Sequence, residues 1–131
     1  MERRTEYIST HRKGQEVESA VAAWLAGQGY VIVRRNFRCR LGELDIIAEH
    51  GEYLAFIEVR SRGSGRFGEA VHAISPGKAA QVAKVAAYYL AFHGSPWVSR
   101  PKRFDVVAVT AGVPTLMQDA FRLGEQRYRF R

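Results

Sequence analysis

At 131 residues, 47% hydrophobic and 25% charged, the chain is composed as one globular domain with a real core, residues 1–131, with loose ends expected at 1–9 and 123–131. A single cysteine, Cys39, excludes a disulfide framework and a cysteine-based zinc site; no apolar run can span a membrane and no apolar signal core opens the chain, so a cytoplasmic location is expected. The formal charge of +7, from 20 Lys+Arg against 13 Asp+Glu, favours a polyanionic partner, nucleic acid before membrane, with a generally basic surface as the plainer reading.

The first expected element is a helix over 10–28. Val17, Val21, Trp24 and Leu25 recur at helical spacing, and Gly27 and Gly29 stop it. Glu18 shares a face with Val21, Ala22 and Leu25 and so borders the apolar stripe, with Glu16 as a nearby competitor for any role. Gly14, one turn earlier, would allow close approach. A strand over 30–37 follows, with Val31 and Val33 facing one way. Arg34, Arg35, Arg38 and Arg40 interleave with Asn36 and Phe37, a run that suits phosphate contacts or, equally, a solvated rim.

Residues 42–62 read as two strands joined by a tight turn at His50-Gly51-Glu52. If Glu49 pairs with Leu54, the antiparallel register sets Asp45 opposite Glu58, with Cβ atoms roughly 5 Å apart. The period of two puts Arg60 on the same face as Glu58 and Glu43 on that of Asp45. Two opposed carboxylates repel, and burial unpaired would force one to stay protonated. A divalent cation held by both removes the conflict, and Mg²⁺ is commonly bound by one or two carboxylates plus waters and phosphate oxygens. The alternative is a solvated face on which each acid bonds a neighbouring Arg.

The stretch 61–73 is rich in glycine and carries Arg62 and Arg66; it suits a basic lid and lacks the ending of a Walker A loop. His72 has no partner at ligand spacing. Ser75-Pro76 starts a helix reaching about residue 92, with Ala79, Val82, Ala86, Tyr89 and Leu90 as its packing face. Lys78 sits in its first turn, where a cation opposes the helix dipole, which suggests a phosphate-holding task against the plainer reading of a surface lysine. Residues 103–110 form a strand whose Asp105-Val-Val-Ala echoes Asp45-Ile-Ile-Ala; Asp105 is therefore a rival metal ligand, ranked below Asp45 because no Glu-x-Arg/Lys follows. Ala111 to Pro114 turn the chain, 115–121 is a last edge strand, and the Arg- and aromatic-rich tail reads as frayed.

The order Gly42-Glu43-x-Asp45-hydrophobic-hydrophobic, a short turn, then hydrophobic-Glu58-Val59-Arg60-x-Arg62 resembles the YraN-like family. That family is similar to the PD-(D/E)XK nucleases and, within them, to the archaeal Holliday junction resolvases. The resemblance extends from Gly14 to about Phe121. It implies an α/β fold with a restriction-endonuclease-like core: a central mixed β-sheet flanked by helices, in the order α-β-β-β-α-β-β. It implies Mg²⁺ or Mn²⁺ held by Asp45 and Glu58, with Glu18 as the helix acid and Lys78 as a matching cation. Arg60 stands where the superfamily usually has Lys, and an arginine stays protonated and cannot act as a base.

The expected function is metal-dependent phosphodiester hydrolysis on DNA, more than RNA, on branched or structured forms. Its catalytic set is Glu18, Asp45, Glu58 and Arg60, and its nucleic-acid-binding set is Arg38, Arg40, Arg62, Arg66 and Lys78. A homodimer is compatible with the resemblance, and no membrane partner is expected. The alternatives are a catalytically weak or inactive nucleic-acid-binding protein on a nuclease fold, and an interaction module of a DNA-processing complex whose acids are structural.

Overall fold

The computed structural model describes residues 2–62, 74–122 and 129–130, with side chains described over 14–61 and 74–122. The elements are α1 (Glu2–Gly27), β1 (Val31–Cys39), β2 (Gly42–His50), β3 (Tyr53–Arg62), α2 (Pro76–His93), β4 (Lys102–Thr110), β5 (Val113–Arg122) and a two-residue β6 (Arg129–Phe130). The strands form one mixed sheet in chain order, with β3 and β4 parallel and every other neighbouring pair antiparallel. The expected α/β layout therefore holds. α1 starts at Glu2 rather than at residue 10, because no proline or glycine interrupts the chain before Gly14. The tail is drawn back into the sheet at Arg129–Phe130, which pair with Arg122 and Phe121. The expected lid, with Arg66 and His72, lies outside the described residues.

Each face of the sheet is covered by a helix. Val21, Ala22 and Leu25 of α1 pack on Ile46, Ala48, Ala55, Ile57, Val107 and Val109. Ala79, Val82, Val85, Ala86 and Tyr89 of α2 pack on Leu44, Ile47, Leu54, Phe56, Phe104 and Val106. Covering both faces explains why β3 and β4 read as nearly continuous apolar runs. The α2 crossover joins the parallel pair, as parallel neighbours require. Gly42 sits at φ 138°, where a Cβ would also lie 2.8 Å from the Gln81 amide nitrogen, so the β1–β2 turn lies close against α2. Gly14, in contrast, has nothing within 4 Å, and the close approach expected there does not occur.

β1 breaks its own alternation. The register to β2 shifts between Ile32 and Arg34, a bulge at Val33. Val33 packs against the core under α2, while Val31 is 61% exposed.

Asp105 has a structural task. Its carboxylate accepts two hydrogen bonds from the Arg103 guanidinium, one from the Tyr30 hydroxyl at 2.8 Å and one from the Asp119 backbone N–H at 2.9 Å. Arg103 also donates to His50 Nδ1, and His50 stacks on Tyr30 at 4.2 Å. The cluster ties the α1–β1 joint to the ends of β2, β4 and β5. Asp105 pairs with Ile57, one position from Glu58 and therefore on the opposite face. It does not join the Asp45 acids. Because Arg103 is buried, Asp105→Ala strands its charge, and the expected cost is about 3–5 kcal/mol. Thermal melts should show Asp105→Ala lowered by roughly 10 °C or more, with Asp105→Asn less affected. A melt of Asp105→Ala within a degree or two of the parent would contradict this account.

Candidate active site

The β2–β3 ladder runs from His50↔Tyr53, across the Gly51-Glu52 turn, to Ile46↔Ile57, with Glu49 opposite Leu54 as the sequence predicts. There the two strands part. The next acceptor for β3 is the Asp45 side chain: Asp45 Oδ2 takes the Val59 backbone N–H at 2.8 Å. Asp45 and Glu58 are thereby held together at the open end of the hairpin, at 9% and 5% exposure. Both are charged side chains in a predominantly apolar sheet, and each has too few partners to neutralise it fully.

Each helix contributes one group. From α1, Glu18 hydrogen-bonds the Asp45 carboxyl. From α2, Lys78 Nζ lies 3.6 Å from Glu58 Oε1. The α2 start is built as the sequence predicts, with Ser75 as N-cap, its hydroxyl accepting the Lys78 backbone N–H at 3.1 Å, and Pro76 in the first turn. That cap fixes where the lysine side chain leaves the helix. Arg60 lies close enough to Glu58 for its charge to act on it, two residues along the same strand face.

The electrostatics follow from this crowding. Burial, then the hydrogen bond and charge of Asp45, push the Glu18 carboxyl up to about 7, against the opposing charge of Arg35. Burial and the Asp45 charge push Glu58 up to about 7, with Lys78 and Arg60 opposing. Burial also raises Asp45, although its bonds from Val59 and Glu18 oppose the rise. Glu18 and Asp45 share one contact, and burial raises the proton affinity of both.

The predicted residues divide accordingly. Glu18, Asp45, Glu58, Arg60 and Lys78 come together, and Lys78 belongs with the acids rather than only with a peripheral binding surface. Glu16 is exposed. Glu43 pairs with Arg38 at 3.1 Å on the exposed rim, and its charge raises Glu18 and Asp45. Arg40 is exposed at the β1–β2 turn, Arg62 ends β3 with its side chain outside the description, and Arg66 is not described. Arg35 acts within the site as well: it donates to Ser19 at 2.8 Å and its charge lowers Glu18. The only sequence signal for that role was its place in the arginine run. A cleft of about 850 Å³ at the other side of the sheet, lined by residues including Tyr53, Lys102, Arg103 and Met117, contains none of these acids.

The acids form a chain, Glu18 to Asp45 to Glu58. Among the described residues no three His, Cys, Asp or Glu side chains converge closely enough to hold a metal ion unaided. An all-oxygen pair with raised proton affinity, already facing an ammonium group, nevertheless has the donor chemistry of a hard divalent cation, for which two carboxylates with waters and phosphate suffice.

The raised acids fix a sign for pH dependence. Glu18 and Glu58 move from 4.5 to about 7, so the folded chain holds more protons than the unfolded chain across that window. Their contribution to stability therefore falls as pH rises from about 4.5 through 7. In chelator, the melting temperature of Glu58→Gln minus that of the parent should grow more positive between pH 5 and pH 8. A constant or shrinking difference would show that Glu58 is not held in a raised state.

Residues 17–109 match the model described as "Uncharacterised protein family UPF0102". The UPF0102 protein of Nitrosococcus oceani is 43% identical over 120 residues, covering 88% of this chain and 96% of that one. That of Moorella thermoacetica is 47% identical over 102 residues, covering 78% and 83%. That of Bordetella parapertussis is 42% identical over 119 residues, covering 88% and 67%. The match takes in Glu18, Asp45, Glu58, Arg60 and Lys78 together, and the chain belongs to the UPF0102 family.

Proposed function

We propose that this protein is a metal-dependent endonuclease that hydrolyses phosphodiester bonds in DNA, with branched or structured DNA as its substrate class. The observation that supports this reading is the buried Asp45–Glu58 pair, held where β2 and β3 part and faced by Lys78 and Arg60. Asp45 and Glu58 would hold Mg²⁺ or Mn²⁺, with Glu18 behind Asp45. Such a cation supplies Lewis-acid stabilisation of the phosphoryl charge and a water acidic enough to attack at neutral pH.

The chain's own groups have distinct tasks. The Val59 N–H fixes the Asp45 carboxylate so that one oxygen is committed to the backbone and the other faces the site. Glu18, raised by burial and by its contact with Asp45, would temper how much negative charge the acids present. Lys78 is a compact ammonium beside Glu58 that can pair with a phosphate oxygen or hold a water. Arg60 presents a planar fork that suits two oxygens of one phosphate. Arg38 and Arg40 on the exposed rim, with Arg62 at the end of β3 and Arg66 after it in sequence, would carry the flanking backbone.

The second reading is a nucleic-acid-binding protein with little or no catalysis. It is favoured by Arg60 at the usual lysine position and by the absence of three converging acids among the described residues.

Two measurements test the proposal. Calorimetric titration with Mn²⁺ should show heat of binding for the parent and none for Asp45→Asn, whose amide can still accept the Val59 N–H and keep the fold; equal affinities would remove Asp45 from the site. Single-turnover cleavage of branched and flapped DNA should require Mg²⁺ or Mn²⁺ and fall to background in Glu58→Ala. Arg60→Ala and Lys78→Ala should each lose on the order of 100-fold in rate, and Arg60→Lys should retain activity. Metal-independent rates, or rates equal to the Glu58→Ala control, would overturn the enzyme reading, and salt-dependent binding without cleavage would establish the second.

A further inference from the structure

The far end of α2 carries an aromatic surface that the acids do not use. Phe92 is 67% exposed and lies 4.6 Å from the half-buried Tyr88 ring, one helical turn before it. Tyr88 stands against the edge strand β1 through Phe37. Phe37 of β1 is the buried hub: its ring meets Tyr88 at 6.2 Å, Tyr89 at 5.1 Å and the exposed His93 at 5.7 Å. The exposed Arg34 places its guanidinium 4.9 Å from the centre of the Phe37 ring. Cations therefore rim the aromatic surface, with Lys84 one turn before Tyr88 and exposed.

This surface is connected to the acids by the helix itself. Gln81 contacts the Leu41 carbonyl oxygen at the β1–β2 turn, and Gln81, Lys84, Tyr88 and Phe92 follow one another at helical spacing along the side of α2 nearest β1. At about 1.5 Å of rise per residue, Phe92 lies roughly 21 Å along the axis from Lys78. That span corresponds to about six stacked nucleotides at roughly 3.4 Å each.

We propose that Tyr88 and Phe92, with Arg34 and Lys84, form a stacking platform for an unpaired nucleic-acid strand leading to the Asp45–Glu58 site. The inference rests on the nuclease reading for its orientation, and it narrows the substrate class to DNA with a single-stranded segment next to the cut. Exposed rings offer every base a π-face, while the paired bases of a duplex have theirs covered by their neighbours. The flanking cations complement a phosphate backbone and disfavour a purely apolar protein partner. Phe92 is 67% exposed, so its removal should spare the fold.

The test is fluorescence anisotropy of the full chain with labelled single-stranded and duplex oligonucleotides of one sequence, in chelator, where no cleavage occurs. Phe92→Ala should weaken single-strand binding on the order of tenfold, leave duplex binding unchanged and leave the thermal melt near that of the parent. Phe92→Trp should restore single-strand affinity, and a 2-aminopurine base in the strand should be quenched by the parent and by Phe92→Trp but not by Phe92→Ala. Equal single-strand affinity in parent and Phe92→Ala, or equal losses on single strand and duplex, would overturn the proposal. So would a change confined to self-association in sedimentation, which would assign the surface to a second copy of the chain. Because the assay needs neither metal nor cleavage, a failed platform is distinguishable from a failed nuclease.

Discussion

The structure of the site depends on one substitution of partners: where β2 leaves β3, the Asp45 carboxylate takes the Val59 N–H that the ladder no longer serves. A buried backbone N–H without an acceptor is costly, so the parting of the strands and the side chain at position 45 are coupled. Were the ladder to continue, Asp45 and Glu58 would face each other across a closed hairpin. Because it ends, the pair lies at an opening in the sheet that both helices reach, Glu18 from one face and Lys78 from the other.

The charges at that opening are arranged around a deficit of positive charge. Three acids meet one close ammonium and the guanidinium groups of Arg35 and Arg60, and burial raises the proton affinity of all three. Protons, Lys78 and a divalent cation all answer the same deficit, and the proposed activity depends on the cation winning that competition at neutral pH. The other buried charge cluster is built the opposite way. Asp105 is matched by Arg103, Tyr30 and the Asp119 N–H, and burial pushes the Tyr30 hydroxyl up to about 12 so that it stays a donor. One cluster is closed and holds the sheet together; the other is left with unmatched negative charge.

Much of this was legible in the sequence because it is local. The turn at Gly51 fixes the hairpin register, and that register brings Asp45 and Glu58 to the first positions past the last pair, Ile46 and Ile57. Ser75-Pro76 fixes the start of α2, and the misfit of Lys78 against the dipole suggests a phosphate-holding task, whereas its contact with Glu58 was not foreseen. Family resemblance picked Glu18, and the structure favours it over the exposed Glu16. What was not legible is long-range. Asp105 shares its local pattern with Asp45, and Arg103 two residues away, with Tyr30 and the Asp119 N–H brought in from other elements, separates their roles. The bulge between Ile32 and Arg34, and the meeting of Phe37 with Tyr88 and His93, depend on how β1 lies against α2, which no short pattern specifies.

The central claim is that Asp45 and Glu58 are a divalent-cation site in which Lys78 is a replaceable occupant. The most direct measurement is a crystal soaked in Mn²⁺ at pH 8, read by anomalous scattering. The account predicts a peak bonded to carboxylate oxygens of both Asp45 and Glu58, with the Lys78 ammonium moved away from Glu58. A saturating soak with no peak there, and Lys78 still paired with Glu58, would contradict it.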